Sequence, residues 1–91
     1  MKIRAMVTVS GRVQGVNFRY YTKQTAERLN VTGWVKNLPD GRVQGCFEGE
    51  ENDVSALIDW CRTGPGSARV DNVAVEKGTY SGEFIDFEVR H

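Results

Sequence analysis

From Lys2 to Ser10 apolar and polar residues alternate, with Ile3, Ala5, Val7 and Val9 on one face and Lys2, Arg4, Met6, Thr8 and Ser10 on the other. A period of two is the mark of a half-buried strand, and Gly11 is expected to end it. The period then changes: Phe18, Tyr21 or Thr22, Ala26 and Leu29 recur at helical spacing, and Asn30 suits the position just past a helix end. The aromatic residues of this helix read as core rather than as binding surface. Val31–Asn37 reads as a second strand. Leu38, Pro39, Asp40 and Gly41 form a turn, the proline fixing φ and the glycine permitting a positive one, and Arg42–Glu48 returns as the third strand of a hairpin.

Val54, Leu57, Ile58 and Cys61 follow at i, i+3, i+4 and i+7, the stripe of an amphipathic helix that a sheet must cover, with Trp60 at its rim. Thr63, Gly64, Pro65, Gly66 and Ser67 end that helix in a loop. Val70, Val73 and Val75 mark a fourth strand with Asp71 and Asn72 as a bulge. After the turn-rich Lys77–Glu83, the alternation of Ile85, Phe87 and Val89 marks a terminal strand. The order β-α-β-β-α-β plus one strand predicts an α+β fold, a ferredoxin-like βαββαβ sandwich: one mostly antiparallel sheet covered on one face by two helices.

With 91 residues the chain is expected to be one domain, 1–91, whose site is shallow and built from loops. The 12 basic and 12 acidic side chains cancel, so no electrostatic footprint for a nucleic acid or an anionic membrane is present. No signal-like or membrane-spanning run occurs, which points to a cytoplasmic protein, and no assembly surface stands out, so a monomer is expected. Cys46 and Cys61 form no C-x-x-C pair and read as reduced, partly buried side chains. The single histidine, His91, is the last residue, where fraying is expected. No metal cluster can be assembled by spacing and no cofactor motif is present.

The run Gly11–Arg19, G-R-V-Q-G-V-N-F-R, joins the first strand to the first helix through two glycines and ends on an arginine in the helix's first turn. Glycines let backbone N–H groups crowd an anion, a helix N-terminus adds unpaired donors, and a guanidinium matches phosphate oxygens. The second helix is an internal control. It carries Glu50, Glu51 and Asp53 at its entry and Arg62 at its exit, as the macrodipole favours. The first helix reverses this, with Asn17 as cap, then Arg19 and Lys23, and no acid before Glu27. A cation in the first turn costs roughly 0.3–1 kcal/mol, which a bound dianion would turn into a gain. In a split βαβ fold the first two strands run parallel, so Asn37, ending the second, should approach the Gly15–Arg19 loop.

If the anion is a phosphoryl group to be hydrolysed, a poor leaving group would demand a general acid, and most phosphoryl enzymes add Mg²⁺ or a cysteine nucleophile. An acyl phosphate is the exception. Its carboxylate has a conjugate-acid pKa of roughly 4 to 5 and leaves unprotonated at pH 7. The protein then needs to cradle three oxygens and aim one water in line. Backbone donors and Arg19 suit the first task, and an uncharged amide such as Asn37 the second.

G-R-V-Q-G-V-N-F-R, followed by G-W-V-K-N-L-P-D-G-R-V from Gly33 to Val43, resembles the paired motifs of the acylphosphatase family, and the similarity extends over essentially the whole chain. The resemblance implies metal-independent hydrolysis of carboxyl-phosphate bonds with no cofactor and no covalent intermediate. It implies Arg19 as the substrate-binding catalytic arginine and Asn37 as the water-positioning residue. It places the phosphate cradle on Gly11–Phe18, chiefly the backbone N–H groups of Gln14, Gly15, Val16, Asn17 and Phe18. Asn17 departs from the family pattern, where bacterial members usually carry glycine and animal ones an aromatic residue; asparagine is among the few others that tolerate a positive φ.

Three other readings compete. One is an acylphosphatase-like module acting on carbamoyl phosphate inside a larger maturation enzyme, against which the end of the chain at His91 favours a free-standing enzyme. Another is a non-catalytic phosphate- or anion-binding regulatory module of the same fold. The third, an RNA-binding ferredoxin-like domain, lacks both basic charge and stacked sheet aromatics.

Overall fold

The structure, a computed structural model, describes residues 1–91. In chain order the elements are β1 (Lys2–Arg12), α1 (Phe18–Arg28), β2 (Thr32–Asn37), β3 (Val43–Glu50), α2 (Glu51–Thr63), β4 (Arg69–Gly78) and β5 (Phe87–Arg90). The sheet order is β4-β1-β3-β2-β5. β3 lies antiparallel between β1 and β2, which are therefore parallel to each other. β4 pairs antiparallel with β1, and β5 adds a parallel edge to β2. This is the ferredoxin-like α+β topology with an extra C-terminal strand.

Register explains the core. Ala5, Val7 and Val9 stand opposite Phe47, Gly45 and Val43 on the helix-covered face of the sheet. α1 packs on β2 and β5, α2 on β1, β3 and β4. The stripe Val54, Leu57, Ile58 and Cys61 is buried, while Trp60 at its rim stays half-buried with its ring centroid 5.4 Å from that of Phe18. Burying Val54, Leu57 and Ile58 stabilises the fold by about 1.5–3 kcal/mol each. Within α1 the inward position belongs to Thr22, whose hydroxyl donates to Phe18 O at 2.7 Å. Tyr20 and Tyr21 point outward, 54% and 41% exposed, so only Phe18 of the helix's aromatics is core.

Two other local expectations need correction. Gly11 does not end β1. The strand continues to Arg12 through a bulge in which Ser10 pairs with Asn72 and Gly11 with Val70, leaving Asp71 as the extra residue of β4. Gly11 has φ 127°, and a Cβ there would lie 2.2 Å from Arg69 O, so the glycine permits the bulge. Ile85 lies outside β5 and is 97% exposed, because pairing with β2 begins only at Phe87. Residues 79–84 instead form a strap across the sheet face away from the helices, where Tyr80 packs under Lys2 and Phe84 under Arg4. No helix is long and apolar enough to cross a membrane.

Candidate active site

Because β1 and β2 are parallel, the loop leaving β1 and the last residue of β2 meet at one edge of the sheet. Residues 13–17 make that loop, and two positive φ values, 75° at Gly15 and 61° at Asn17, turn it back on itself. Nothing lies within 4 Å of where a Gly15 Cβ would stand, so that glycine serves the backbone angle rather than space. The fold leaves a row of donors: no backbone N–H from Gln14 through Tyr20 bonds a backbone carbonyl. Asn17 occupies the cap position of α1 but makes no side-chain capping bond. A side-chain cap needs an extended backbone, and Asn17 is left-handed. The helix contrast persists: α1 has no acid in its first turn, whereas α2 has Glu51 and Asp53 there.

Five residues of this row, Gly15, Asn17, Phe18, Arg19 and Tyr20, border a cavity of about 350 Å³. Val13, Gly15, Asn17, Phe18, Arg19 and Tyr20 line one side, Asn37 another, and Val89 and His91 the third. The Arg19 side chain is half-buried there; its Nη1 donates to Arg90 O at 2.8 Å and lies 3.3 Å from His91 Nδ1. No ion pair takes up its guanidinium, which leaves the rest of the donor fork for a ligand. Asn37 Oδ1 is buried and has no hydrogen-bond partner. An unpaired buried acceptor costs about 1–3 kcal/mol, and Asn37, which carries this one, is among the residues lining the cavity.

Of the residues expected in the cradle, Gly15, Asn17 and Phe18 line the cavity with Arg19 and Asn37, and Gln14 and Val16 do not. Val16 is buried, its carbonyl accepting from Ser67 Oγ at 3.3 Å. The Gln14 side chain turns away to the β2–β3 turn. Val13 belongs to the expected Gly11–Phe18 segment, whereas Tyr20, Val89 and His91 are marked by no sequence pattern. His91 enters because β5 runs parallel to β2, which carries the last residues to the same edge as Asn37, and its Nδ1 lies 3.3 Å from Arg19 Nη1. The cysteines are buried, unpaired and absent from this cavity. Burial pushes the Cys61 thiol up to about 12 and raises that of Cys46, so neither is a ready thiolate at neutral pH.

The edge therefore offers backbone donors and a guanidinium for an oxyanion, and one acceptor for a donor beside it. The sequence profile of the acylphosphatase family matches residues 5–89. The chain belongs to the acylphosphatase family. An acylphosphatase of Geotalea uraniireducens is 74% identical over 91 residues, all of this chain and all of that protein. One from Geobacter sulfurreducens is 63% identical, also end to end. Among solved structures, an acylphosphatase from Coxiella burnetii superposes with a TM-score of 0.93 at 43% identity, covering 98% of this chain and 93% of that one. Full-length HypF in its phosphate- and nucleotide-bound form contains a similar unit, with a TM-score of 0.85 at 26% identity. That match covers all of this chain but 12% of HypF, whereas the acylphosphatase relatives match along their whole length.

Proposed function

We propose that the chain hydrolyses the carboxyl-phosphate bond of acyl phosphates, by in-line attack of a water held by Asn37 on a phosphoryl group held by Arg19 and the free N–H groups of the Gln14–Phe18 part of the expected Gly11–Phe18 cradle, Gly11 and Arg12 being paired within the sheet. The observation that carries this reading is the pairing, around one cavity, of a row of unbonded N–H donors with one unpartnered amide oxygen. The donors and the free part of the Arg19 fork take the phosphoryl oxygens, where negative charge is spread in the transition state. Asn37 Oδ1 accepts a hydrogen bond from the water and so aims an oxygen lone pair at phosphorus. The new P–O bond forms as the P–O bond to the acyl group breaks. The carboxylate leaves unprotonated, and the water's proton passes to a phosphoryl oxygen, giving inorganic phosphate. No step requires a metal or another cofactor.

The family match over residues 5–89 and the end-to-end likeness to acylphosphatases weigh against a non-catalytic phosphate-binding module. The buried unpaired cysteines, balanced charge and end-to-end match with relatives support action as a single cytoplasmic domain and a monomer, with a small-molecule substrate and neither nucleic acid nor membrane.

The test is hydrolysis of benzoyl phosphate in excess EDTA, beside glycerol phosphate as an alkyl ester. Turnover of the first and none of the second is expected. Inactivity toward both, or activity that returns only with Mg²⁺, would overturn the proposal.

A further inference from the structure

The phosphate cradle and Asn37 come from separate segments, and the hydrogen bonds that join those segments come from one side chain. Gln14 Nε2 donates to Leu38 O at 2.7 Å and to Arg42 O at 2.9 Å. These carbonyls are the two feet of the β2–β3 turn. Leu38 N also donates to Arg42 O at 2.7 Å, and Gly41 N to Leu38 O at 3.2 Å, so each carbonyl accepts one bond from within the turn and one from Gln14. The Asp40 carboxylate accepts from Arg42 N at 3.1 Å and Arg42 Nε at 2.8 Å, which stiffens the turn further. Asn37 immediately precedes Leu38 and is paired with Val43, so it moves with this turn as one body.

The strands alone do not fix the loop against that body. β1 pairs with β3 only as far as Val9, and from Ser10 to Arg12 its one neighbour is β4 across a bulge. No other hydrogen bond joins residues 13–17 to residues 37–43. We infer that Gln14 is a positioning residue, whose carboxamide sets the separation between the phosphate cradle and the water on Asn37. Its side chain turns away from the cavity and touches no reacting atom. Its effect is on distance: in-line attack needs the water about 3–3.5 Å from phosphorus, and a misplacement of about 1 Å can cost on the order of a hundredfold in rate. The inference rests on the water-positioning role proposed for Asn37.

The test combines Gln14→Ala and Asn37→Ala in a double-mutant cycle on benzoyl phosphate. Gln14→Ala is expected to lower kcat about tenfold while KM and the inhibition constant of inorganic phosphate stay within about twofold, because the cradle's donors are backbone groups. The double variant should be no slower than Asn37→Ala alone, since both changes act on the same water. Where Gln14→Ala folds poorly, Gln14→Glu keeps the shape, turns an acceptor on both carbonyls and should show the same kcat loss. Additive losses, or a lower Tm with unchanged kcat, would mean that Gln14 only braces the fold and would overturn the inference. An Asn37→Ala enzyme with full kcat would sink the role of Asn37 and this inference together. An impaired Asn37→Ala with additive Gln14→Ala sinks the inference alone.

Discussion

Glu48 on β3 and Asn37 at the end of β2 are both polar side chains drawn out of water by the same sheet, yet their surroundings are opposite. Glu48 is fully buried beneath the 79–84 strap and accepts from Arg4 Nε at 2.8 Å, Ser81 N at 2.8 Å, Ser81 Oγ at 3.0 Å and Gly82 N at 3.1 Å. Arg4 reaches on to Glu83, closing the cluster. Asn37 Oδ1 has nothing. Burial alone would raise the Glu48 pKa, but the bonds from Ser81, Arg4 and Gly82 outweigh it and hold the carboxyl below its usual value. A saturated cluster returns its desolvation cost as fold stability. An unsaturated one carries that cost into the folded state, where only a ligand or substrate water can offset it. One region thus holds the strap on the sheet, and the other holds the chemistry.

The largest break between the two regions comes from the cradle. Arg19→Gln should abolish inorganic phosphate binding and lower kcat/KM by about a thousandfold or more, since one side chain serves both binding and the transition state. Its Tm should fall little, because the fold loses only one partly exposed hydrogen bond to Arg90 O, about 0.5–1.5 kcal/mol. Glu48→Gln should do the reverse. Replacing one carboxylate oxygen with a donor facing Arg4 and Ser81 is expected to cost about 2–4 kcal/mol in denaturant unfolding and leave kcat on benzoyl phosphate unchanged.

A smaller effect follows from pH. Because folding depresses the Glu48 pKa, its contribution is fully present above the ordinary glutamate value of 4.5 and is lost as pH falls through the lower folded value. The Tm of the native chain should therefore decline more steeply below about pH 4.5 than that of Glu48→Gln, which lacks the group. Parallel slopes would remove Glu48 from the acid response.

Much of the first region's frame follows from periodicity. The alternation through β1 and the i, i+3, i+4, i+7 stripe of α2 both mark residues that prove buried, apart from half-buried Ile3 at the strand's start. Parallel β1 and β2 follow from the split topology, and with them the meeting of Asn37 and the Gly15–Arg19 loop. Other features depend on partners that no local pattern contains. Gly11 could end a strand or bend one, and only the close approach of Arg69 O decides for the bulge. The Ile85–Val89 alternation runs one step beyond the ladder, because an edge strand is as long as its neighbour lets it be. Glu48 reads as the last residue of a strand until the unpatterned strap supplies its donors. Gln14 reads as one cradle residue among several, since a side chain bridging two carbonyls leaves no trace in spacing.

The contrast turns on what the unpaired oxygen of Asn37 is for, and Asn37→Ala addresses it directly through kcat on benzoyl phosphate and the inhibition constant of inorganic phosphate on one preparation. If the oxygen aims the attacking water, kcat should fall about a hundredfold with phosphate affinity within about twofold and no loss of Tm, since the deletion also removes an unpaired buried acceptor. Weakened phosphate binding with undiminished kcat would make Asn37 part of the anion cradle and contradict the assignment of water to it.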